Sequence, residues 1–179
     1  MREKKNIIEL SNCSVEEYRG LKKIPVKVLA DNVRSLYNIG AIFRTSDAFL
    51  IDEFILCGIS GCPPHPEISK TALGAEDSVR WSYVENAGEK VAALKAEGWR
   101  ICCLEQTHDS VMLDDFKVER NEKYVLVLGN EVEGVNQQIV DIADVVLEIP
   151  QCGVKHSLNV SSSGSIALWH FFKSYLPGK

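Results

Sequence analysis

The stretch that decides the fold is YVLVLGNEVEG, residues 124–134, in which an apolar run leads into a loop with two glycines and two acidic residues. Such a run is typical of a strand, and it ends where the first glycine begins the polar loop. In parallel α/β sheets, ligands lie outside the carboxyl ends of the strands. The loop after residue 128 is therefore a candidate binding site.

Phosphate-binding loops are the first class to test for the pair Gly129 and Gly134. A P-loop is excluded, because Val135 and Asn136 stand where its lysine and its serine or threonine should be. We interpret Gly129 as a residue that lets a ligand approach the backbone, with Glu131 as a polar anchor nearby. A tight turn without a ligand explains the same residues equally well.

Strands and helices alternate on both sides of this stretch. Apolar and β-branched runs predict strands at residues 26–30, 54–58, 81–85, 100–104, 124–128 and 145–149. Helices are predicted at residues 39–50, 89–97, 137–143 and 159–175, and at residues 14–22, where Ser14 and Glu17 have the spacing of a capping box. The segment with Pro63, Pro64 and Pro66 is predicted to be a loop. The alternation predicts an α/β fold with a parallel sheet and flanking helices.

The length of 179 residues and the composition, with 45% hydrophobic and 25% charged residues, are those of one ordinary globular domain. We expect an N-terminal arm at residues 1–25 and the domain at residues 26–179. No apolar run approaches the roughly 18 residues of a membrane helix, and the N-terminus lacks the pattern of a secretory leader. A cytoplasmic location is therefore expected.

The net charge of −5 argues by itself against a nucleic-acid protein. Residues 1–50 nevertheless hold nine Lys and Arg against six Asp and Glu, so a polyanion site should use this part of the chain. A solvated tail with scattered charge explains these basic residues equally well. The expected phosphate contacts are Arg2, Lys4, Lys5, Arg19, Lys22, Lys23 and Lys27.

The six cysteines include no C-x-x-C pair, and Cys102 and Cys103 are neighbours in a predicted strand. Buried free thiols are therefore expected rather than disulfides. The four histidines are scattered singly along the chain. Because a zinc site needs clustered ligands, no metal is expected.

A second segment that follows a predicted strand is ADNVRSLYNIGAIFR, residues 30–44. Its last residue, Arg44, is surrounded in sequence by Ile39, Ile42 and Phe43. We expect Arg44 to be half-buried and to face a phosphate or a carboxylate. The alternative is a helix cap followed by a surface arginine.

A third segment is IPQCGVKHSLNVSSS, residues 149–163, which leads from a predicted strand through a loop into the last helix. Either Ser157 or Asn159 is expected to cap that helix. The polar loop has donors and acceptors to spare, and a helix N-terminus there can receive an anion.

Three motifs thus occur in order: N-x-G-x-x-x-R at residues 38–44, LGNE-x-x-G at residues 128–134 and IP-x-x-G-x-x-x-SLNVS at residues 149–161. Together they resemble the motifs of the SpoU or TrmH family of RNA 2′-O-ribose methyltransferases, within the SPOUT superfamily. The segment KTALGAE at residues 70–76 is also similar to the family. The resemblance covers about residues 26–175, and three ordered motifs are far more specific than any one of them.

The resemblance implies a deep trefoil knot at about residues 126–159 and S-adenosylmethionine as the cofactor. Backbone groups around Leu104, Leu128, Gly129, Ile149 and Leu158 are expected to hold that cofactor. The expected catalytic residues are Asn38, Arg44, Glu131, Ser157 and Asn159. Because a guanidinium stays protonated, we expect Arg44 to bind the phosphate beside the acceptor ribose and to orient its 2′-hydroxyl. The reaction requires no metal.

Family members are dimers whose active site combines the cofactor of one subunit with motif residues of the other, so the resemblance implies a symmetric homodimer. An apolar stripe on the last helix fits such an interface. Packing of the stripe on the chain's own sheet is the alternative. The stripe consists of Val160, Gly164, Leu168, Phe171, Phe172 and Tyr175.

RNA is the expected partner, and transfer RNA is favoured because short members of the family often modify it. The sequence leaves open the same reaction on ribosomal RNA and an inactive RNA-binding module of the same fold. Methylation of a base or a small molecule is disfavoured by Arg44, since a base nitrogen needs no cation beside a phosphate. The run at residues 161–163 is more polar than is usual in the family, and the sequence assigns it no role.

Overall fold

A parallel sheet of seven strands organises residues 13–176, the part of the chain that the computed structural model describes. In chain order the strands are β1 (Ile24–Asp31), β2 (Ile51–Cys57), β3 (Trp81–Val84), β4 (Arg100–Leu104), β5 (Val111–Met112), β6 (Tyr124–Leu128) and β7 (Val145–Glu148). In the sheet they stand in the order β3-β2-β1-β6-β4-β7-β5, and every neighbouring pair is parallel. The predicted parallel α/β architecture is confirmed.

The helices of these residues are α1 (Val15–Gly20), α2 (Leu36–Ala48), α3 (Pro66–Ala72), α4 (Ala75–Ser78), α5 (Ala87–Ala96), α6 (Gln137–Ile142) and α7 (Val160–Lys173). The predicted capping box is present at α1. The Glu17 N–H donates to Ser14 Oγ at 3.2 Å, and the Ser14 N–H donates to the Glu17 carboxylate at 2.7 Å. The five predicted helices are confirmed, with shifts of at most three residues at their ends.

Pro63 and Pro64 lie in a loop as predicted, but the prediction is wrong for Pro66, which belongs to α3. Pro66 occupies the first turn of α3, where its missing N–H is not needed. His65 caps the helix because its Nδ1 accepts from the Glu67 N–H at 3.2 Å. Helix α4 and strand β5 are also absent from the prediction, since four and two residues are too few to show a period.

Strand β6 is buried on both faces of the sheet. Leu126 and Leu128 join the core under α2 and α7, whereas Val125 and Val127 join the core under α5 and α6. Burial on both faces explains why the run at residues 124–128 is continuously apolar. The knot expected for residues 126–159 stays a prediction.

Two glycines permit close packing of helices near the motifs. A Cβ on Gly40 would lie 2.2 Å from the Ile68 carbonyl oxygen, so α2 and α3 touch through this position. A Cβ on Gly164 would lie 2.9 Å from Leu128 Cδ1, so α7 lies directly on β6. The glycine of the motif N-x-G-x-x-x-R therefore has a packing function.

The apolar stripe of the last helix packs mainly on the chain's own sheet. Gly164, Leu168 and Phe171 are buried, and Val160, Phe172 and Tyr175 are partly buried against the same core. Of the two interpretations of the stripe, packing on the chain's own sheet therefore describes it better than a dimer interface does.

Two other apolar side chains of α7 are exposed. Ile166 is 44% and Trp169 is 47% exposed. The Trp169 ring lies 5.7 Å from that of Phe49 and 6.0 Å from that of Phe172, measured between ring centroids. We call Ile166 and Trp169, together with the partly buried Phe49 and Phe172 beside them, the apolar patch.

The described part of the arm packs on the domain. Tyr18 is 6% exposed, and its hydroxyl donates to the Asp47 carbonyl oxygen at 3.0 Å. The Arg19 guanidinium donates to the Asp77 carbonyl oxygen at 2.5 Å. Arg2, Lys4 and Lys5 lie outside the described residues, and the division of the chain at residue 25 stays a prediction.

The cysteines are free thiols, as the sequence predicts. All six cysteines are free, and Cys57, Cys102 and Cys103 are buried as expected, whereas Cys13 and Cys152 are exposed. Burial raises the pKa of the Cys57 and Cys103 thiols to about 12. Within residues 13–176, no helix is long and apolar enough to cross a membrane, and no group of three His, Cys, Asp or Glu is placed to hold a metal ion.

Candidate functional site

A cleft of about 510 Å³ opens at the carboxyl ends of β4, β6 and β7. Four of the residues expected to hold a cofactor line it: Leu104, Gly129, Ile149 and Leu158. The fifth, Leu128, does not line the cleft. It is fully buried, and its side chain lies against Gly164 of α7.

Glu131 connects the cleft to the start of α2. Its carboxylate accepts hydrogen bonds from the Arg34 N–H at 2.9 Å and the Ser35 N–H at 3.0 Å. It also accepts from Asn38 Nδ2 at 2.9 Å. Desolvation alone would raise the pKa of Glu131, but these three hydrogen bonds outweigh it and lower the pKa below its ordinary value. Glu131 is therefore a carboxylate that holds the first turn of α2.

Asn38 joins the three predicted segments. While its Nδ2 donates to Glu131, its Oδ1 accepts from Asn159 Nδ2 at 3.1 Å and from Ser161 Oγ at 3.4 Å. The side chain is largely buried, with 8% exposed. Because all of its amide atoms are engaged, Asn38 fixes α2, the loop after β6 and the start of α7 relative to one another.

Asn159, and not Ser157, caps α7. Asn159 Oδ1 accepts from the Ser161 N–H at 2.9 Å and from the Ser162 N–H at 3.3 Å. Ser157 is exposed at the edge of the cleft. The polar run at residues 161–163 gains a function here, because Ser161 Oγ reaches the side chains of both Asn38 and Asn159.

Arg44 is exposed, so the expectation that it is half-buried is wrong. Ile39, Ile42 and Phe43 point into the core from α2, and Arg44 lies on a different side of the helix. Among the described residues it does not line the cleft, and none forms a hydrogen bond or ion pair with its guanidinium. The structure brings together four predicted catalytic residues and leaves Arg44 outside that group.

The cleft is acidic. Glu105, Glu131 and Glu133 line it, whereas none of its described lining residues is Lys or Arg. Such a lining favours a ligand with positive charge over a nucleotide with several phosphates. Leu104, Ile149 and Leu158 add apolar surface for a planar base.

The loop after β6 is held in shape by groups that the sequence analysis did not single out. Asn130 Oδ1 accepts from the Val132 N–H at 2.8 Å, and Asn130 Nδ2 donates to the Asn32 carbonyl oxygen at 2.9 Å. A Cβ on Gly129 would lie 2.2 Å from Gly134 C. Gly129 therefore permits close contact between the two ends of this loop, in addition to the approach of a ligand that the sequence predicts. An Asn directly after such a glycine is a signal for a capped turn.

Comparison with known proteins gives a consistent result. The model of one family, described as the SpoU rRNA Methylase family, matches residues 25–169. The tRNA (guanosine(18)-2′-O)-methyltransferase of Aquifex aeolicus (strain VF5) is 33% identical over 148 residues, which are 79% of this chain and 66% of that protein. The chain spans between 10% and 66% of the length of the first three curated relatives it matches.

Solved structures are similar as well. The AdoMet-bound rRNA methyltransferase from Sinorhizobium meliloti has a TM-score of 0.79 at 25% identity, over 89% of this chain and 60% of that one. The TrmH/SpoU tRNA modifying enzyme of A. aeolicus has a TM-score of 0.78 at 30% identity, over 89% of this chain and 81% of that one. The structural similarity therefore extends over most of this chain.

Proposed function

The chain belongs to the SpoU rRNA Methylase family, and we propose that it transfers a methyl group from S-adenosylmethionine to a ribose 2′-hydroxyl of transfer RNA. The observation that carries this proposal is the hydrogen bonding of Asn38, in the first motif, to Glu131 and Asn159, which belong to the second and third motifs and both line the cleft. The 33% identity to a tRNA (guanosine(18)-2′-O)-methyltransferase supports transfer RNA as the substrate. A cytoplasmic location stays part of the proposal, supported by the free cysteines.

The cleft fits the proposed cofactor in charge and in polarity. Its three carboxylates suit a molecule with a sulfonium and an ammonium group, and its apolar residues suit an adenine. When bound, S-adenosylmethionine supplies an activated methyl group. We assign the backbone around Leu104, Gly129, Ile149 and Leu158 to cofactor binding, and Leu128 to support of the strand end beneath it.

The remaining task of the chain is to place the acceptor ribose. We assign Arg44 to the phosphate beside that ribose, because its exposed guanidinium has no partner among the described residues and matches a phosphate in geometry. Asn38 and Glu131 act as positioning residues, since they hold the start of the helix that carries Arg44. Ser157, at the cleft edge, is a hydroxyl that can bind the incoming ribose.

A homodimer completes this arrangement. Arg44 lies outside the cleft of its own chain, so in our proposal it serves the cleft of a second copy. The apolar patch is the proposed core of the interface, because exposed large apolar side chains on one surface, here Ile166 and Trp169, are typical of such contacts. A two-fold axis would bring two patches together and form two equivalent sites.

Subunit complementation tests the shared site. Arg44→Ala removes the acceptor residue, and Gly129→Ala disturbs the cleft, because its Cβ would lie 2.2 Å from two backbone atoms. We expect each variant alone to be inactive and co-expressed mixed dimers to recover about a quarter to a half of the wild-type rate, since one of their two sites is intact. Transfer to RNA by affinity-purified mixed dimers measures this.

The controls for this experiment are the oligomeric state and the fold. Analytical ultracentrifugation should show dimers for both variants, and circular dichroism should show native secondary structure. Trp169→Glu, which places a charge in the apolar patch, should give monomers. No recovery of activity in confirmed mixed dimers would place each active site within a single subunit.

The substrate is tested with radiolabelled S-adenosylmethionine and bulk RNA from cells that lack the gene. We expect label in a 2′-O-methyl nucleoside of transfer RNA, located by nuclease digestion and chromatography. Label only in ribosomal RNA would show that the proposed substrate is wrong and that the proposed reaction is right. Cofactor binding by calorimetry without any transfer would contradict the proposed reaction, and absence of cofactor binding would favour an RNA-binding module.

A further inference from the structure

Glu105 supports the wall of the cleft and lies outside all three motifs. It directly follows β4 and lines the cleft. Its Oε2 accepts from the Val135 N–H at 3.0 Å, and its Oε1 accepts from the Gln106 N–H at 2.9 Å. Both oxygens of the carboxylate are thus bound to backbone, and one of them reaches across to the loop after β6.

The space that this carboxylate occupies exists only because residue 134 is glycine. A Cβ on Gly134 would lie 2.1 Å from Glu105 Oε2, and Gly134 has a φ of +73°, which favours glycine. On its other side, the backbone of Gly134 lies against Gly129, whose own Cβ would be 2.2 Å from Gly134 C. Glu105, Gly134 and Gly129 are therefore stacked in direct contact.

A second carboxylate holds the next residue of the same segment. Asp31, which is 2% exposed, accepts from the Asn136 N–H at 2.9 Å through Oδ2. Consecutive backbone amides at residues 135 and 136 are thus bound by carboxylates from β4 and from β1. Hydrogen bonds to a charged acceptor are stronger than neutral ones, so the end of the loop has little freedom to move.

We propose that Glu105 is a positioning residue for the cofactor: by binding the Val135 amide and filling the space beside Gly134, it presses the loop against Gly129 and sets the wall of the cleft. This inference rests on the proposed function. Glu105 need not touch the cofactor to act in this way. It holds Gly134 against Gly129, and Gly129 lines the cleft. Loss of Glu105 should therefore weaken cofactor binding more than it slows the chemical step.

The test compares Glu105→Ala and Glu105→Gln with the wild-type protein. We expect the dissociation constant for S-adenosylmethionine, measured by calorimetry, to rise about tenfold or more in Glu105→Ala. Glu105→Gln, which keeps one acceptor oxygen, should show a smaller rise of about threefold. At saturating cofactor, kcat should fall less than about threefold in both variants. In the protein without cofactor, hydrogen exchange at the Val135 amide should accelerate in Glu105→Ala.

Glu133→Gln is the matched control. Glu133 lines the same cleft, but its side chain makes no hydrogen bond or ion pair with residues 13–176. The variant removes one negative charge without changing the loop, so its effect on the dissociation constant measures electrostatic attraction alone. We expect less than about a threefold rise and unchanged exchange at the Val135 amide.

The outcomes separate the two proposals. If the wild-type protein binds S-adenosylmethionine and Glu105→Ala binds it equally well, the inference about Glu105 is wrong and the proposed function stands. If Glu105→Ala and Glu133→Gln lose the same affinity for S-adenosylmethionine, Glu105 contributes only its negative charge, and the inference about its positioning role is also wrong. A wild-type protein that binds no cofactor would overturn the proposed function and, with it, this role.

Gly134→Ala provides an independent route if Glu105→Ala does not fold. Its methyl group would displace the Glu105 carboxylate, and the φ of +73° adds backbone strain, so cofactor binding should weaken by at least a similar factor. Where Glu105→Ala does fold, the two effects should be less than additive in the double variant Glu105→Ala, Gly134→Ala, because the loss of the Glu105 contact is shared and only the backbone strain at residue 134 is added. Full additivity would contradict the proposed stacking.

Discussion

Replacement of Arg44 by alanine should lower methyl transfer to RNA by about a hundredfold to a thousandfold, the usual effect of removing one group that stabilises or orients the reacting atoms. The dissociation constant for S-adenosylmethionine should change less than about twofold. Arg44 lies on the exposed side of α2 and is not among the residues that line the cleft of its own chain. Single-turnover transfer and calorimetry on the same preparations measure the two quantities.

Two further variants sharpen this prediction. Arg44→Lys keeps the charge but loses the planar fork that binds phosphate through two hydrogen bonds, so its rate should be intermediate. Lys90→Ala removes a positive charge from α5, on the other face of the sheet, and should leave the rate unchanged. Loss of cofactor binding in Arg44→Ala would place Arg44 in the cofactor site, and an unchanged rate would exclude a role at the acceptor.

Replacement of Lys27 by methionine should reduce the free energy of unfolding by about 3–5 kcal/mol at neutral pH, the usual cost of removing one partner from a buried ion pair. Lys27 is 7% exposed and lies between two carboxylates. It forms an ion pair with Glu53, which is 6% exposed, and another with Asp52 at 2.9 Å. Without the ammonium group, Glu53 keeps only the hydrogen bond from Ser82 Oγ at 2.8 Å.

The pH dependence follows from the pKa of Glu53. Burial alone would raise it, but the hydrogen bonds from Lys27 and Ser82 and the charge of Lys27 outweigh burial and lower it. In the wild-type protein, this stabilisation is present above the unfolded-state pKa and is lost as the pH falls through the folded-state pKa. In Lys27→Met, the hydrogen bond and charge of Lys27 no longer oppose burial, so we expect the pKa of Glu53 to rise and the gap in stability to wild type to narrow in acid.

Urea unfolding at pH 7 and near pH 5 measures both effects. Lys95→Met is the matched control, because the Lys95 ion pair with Asp144 at 2.8 Å is exposed, with side-chain exposures of 43% and 31%. It should cost about 1 kcal/mol or less. A Lys27→Met loss as small as that of the control, or a gap that does not depend on pH, would contradict a buried pair at this position.

Periodicity in the sequence was sufficient for the regular elements that bury one or two faces. The run at residues 124–128 is apolar throughout because β6 is covered on both sides, and a prediction from pattern detects such a strand readily. Helix α3 escaped prediction because its signals are a proline at its first turn and a histidine cap, and both occur equally in loops. Both signals are local, and neither is periodic.

The sequence predicts which residues form the candidate site better than it predicts how their side chains are arranged. Three ordered motifs identify Asn38, Glu131 and Asn159, yet the letters do not show that the three side chains form one hydrogen-bonded chain. The burial of Arg44 was inferred from its apolar neighbours in sequence. On a helix, neighbours in sequence point in different directions, so that inference failed. Glu105 was missed because a side chain that binds distant backbone amides leaves no pattern in the sequence.

The position of β6 between β1 and β4 has a consequence for the synthesis of the chain. Strand β1 can pair with β2 once residue 57 has been synthesised, but the partner of its other edge, β6, becomes available only with residues 124–128. During that interval the nascent chain presents a row of unpaired amides flanked by valine and leucine, a surface on which other chains can pair. The sheet can therefore close at its centre only after residues 124–128 have been synthesised, and until then the open edge of β1 is the part of the nascent chain most exposed to pairing with other chains.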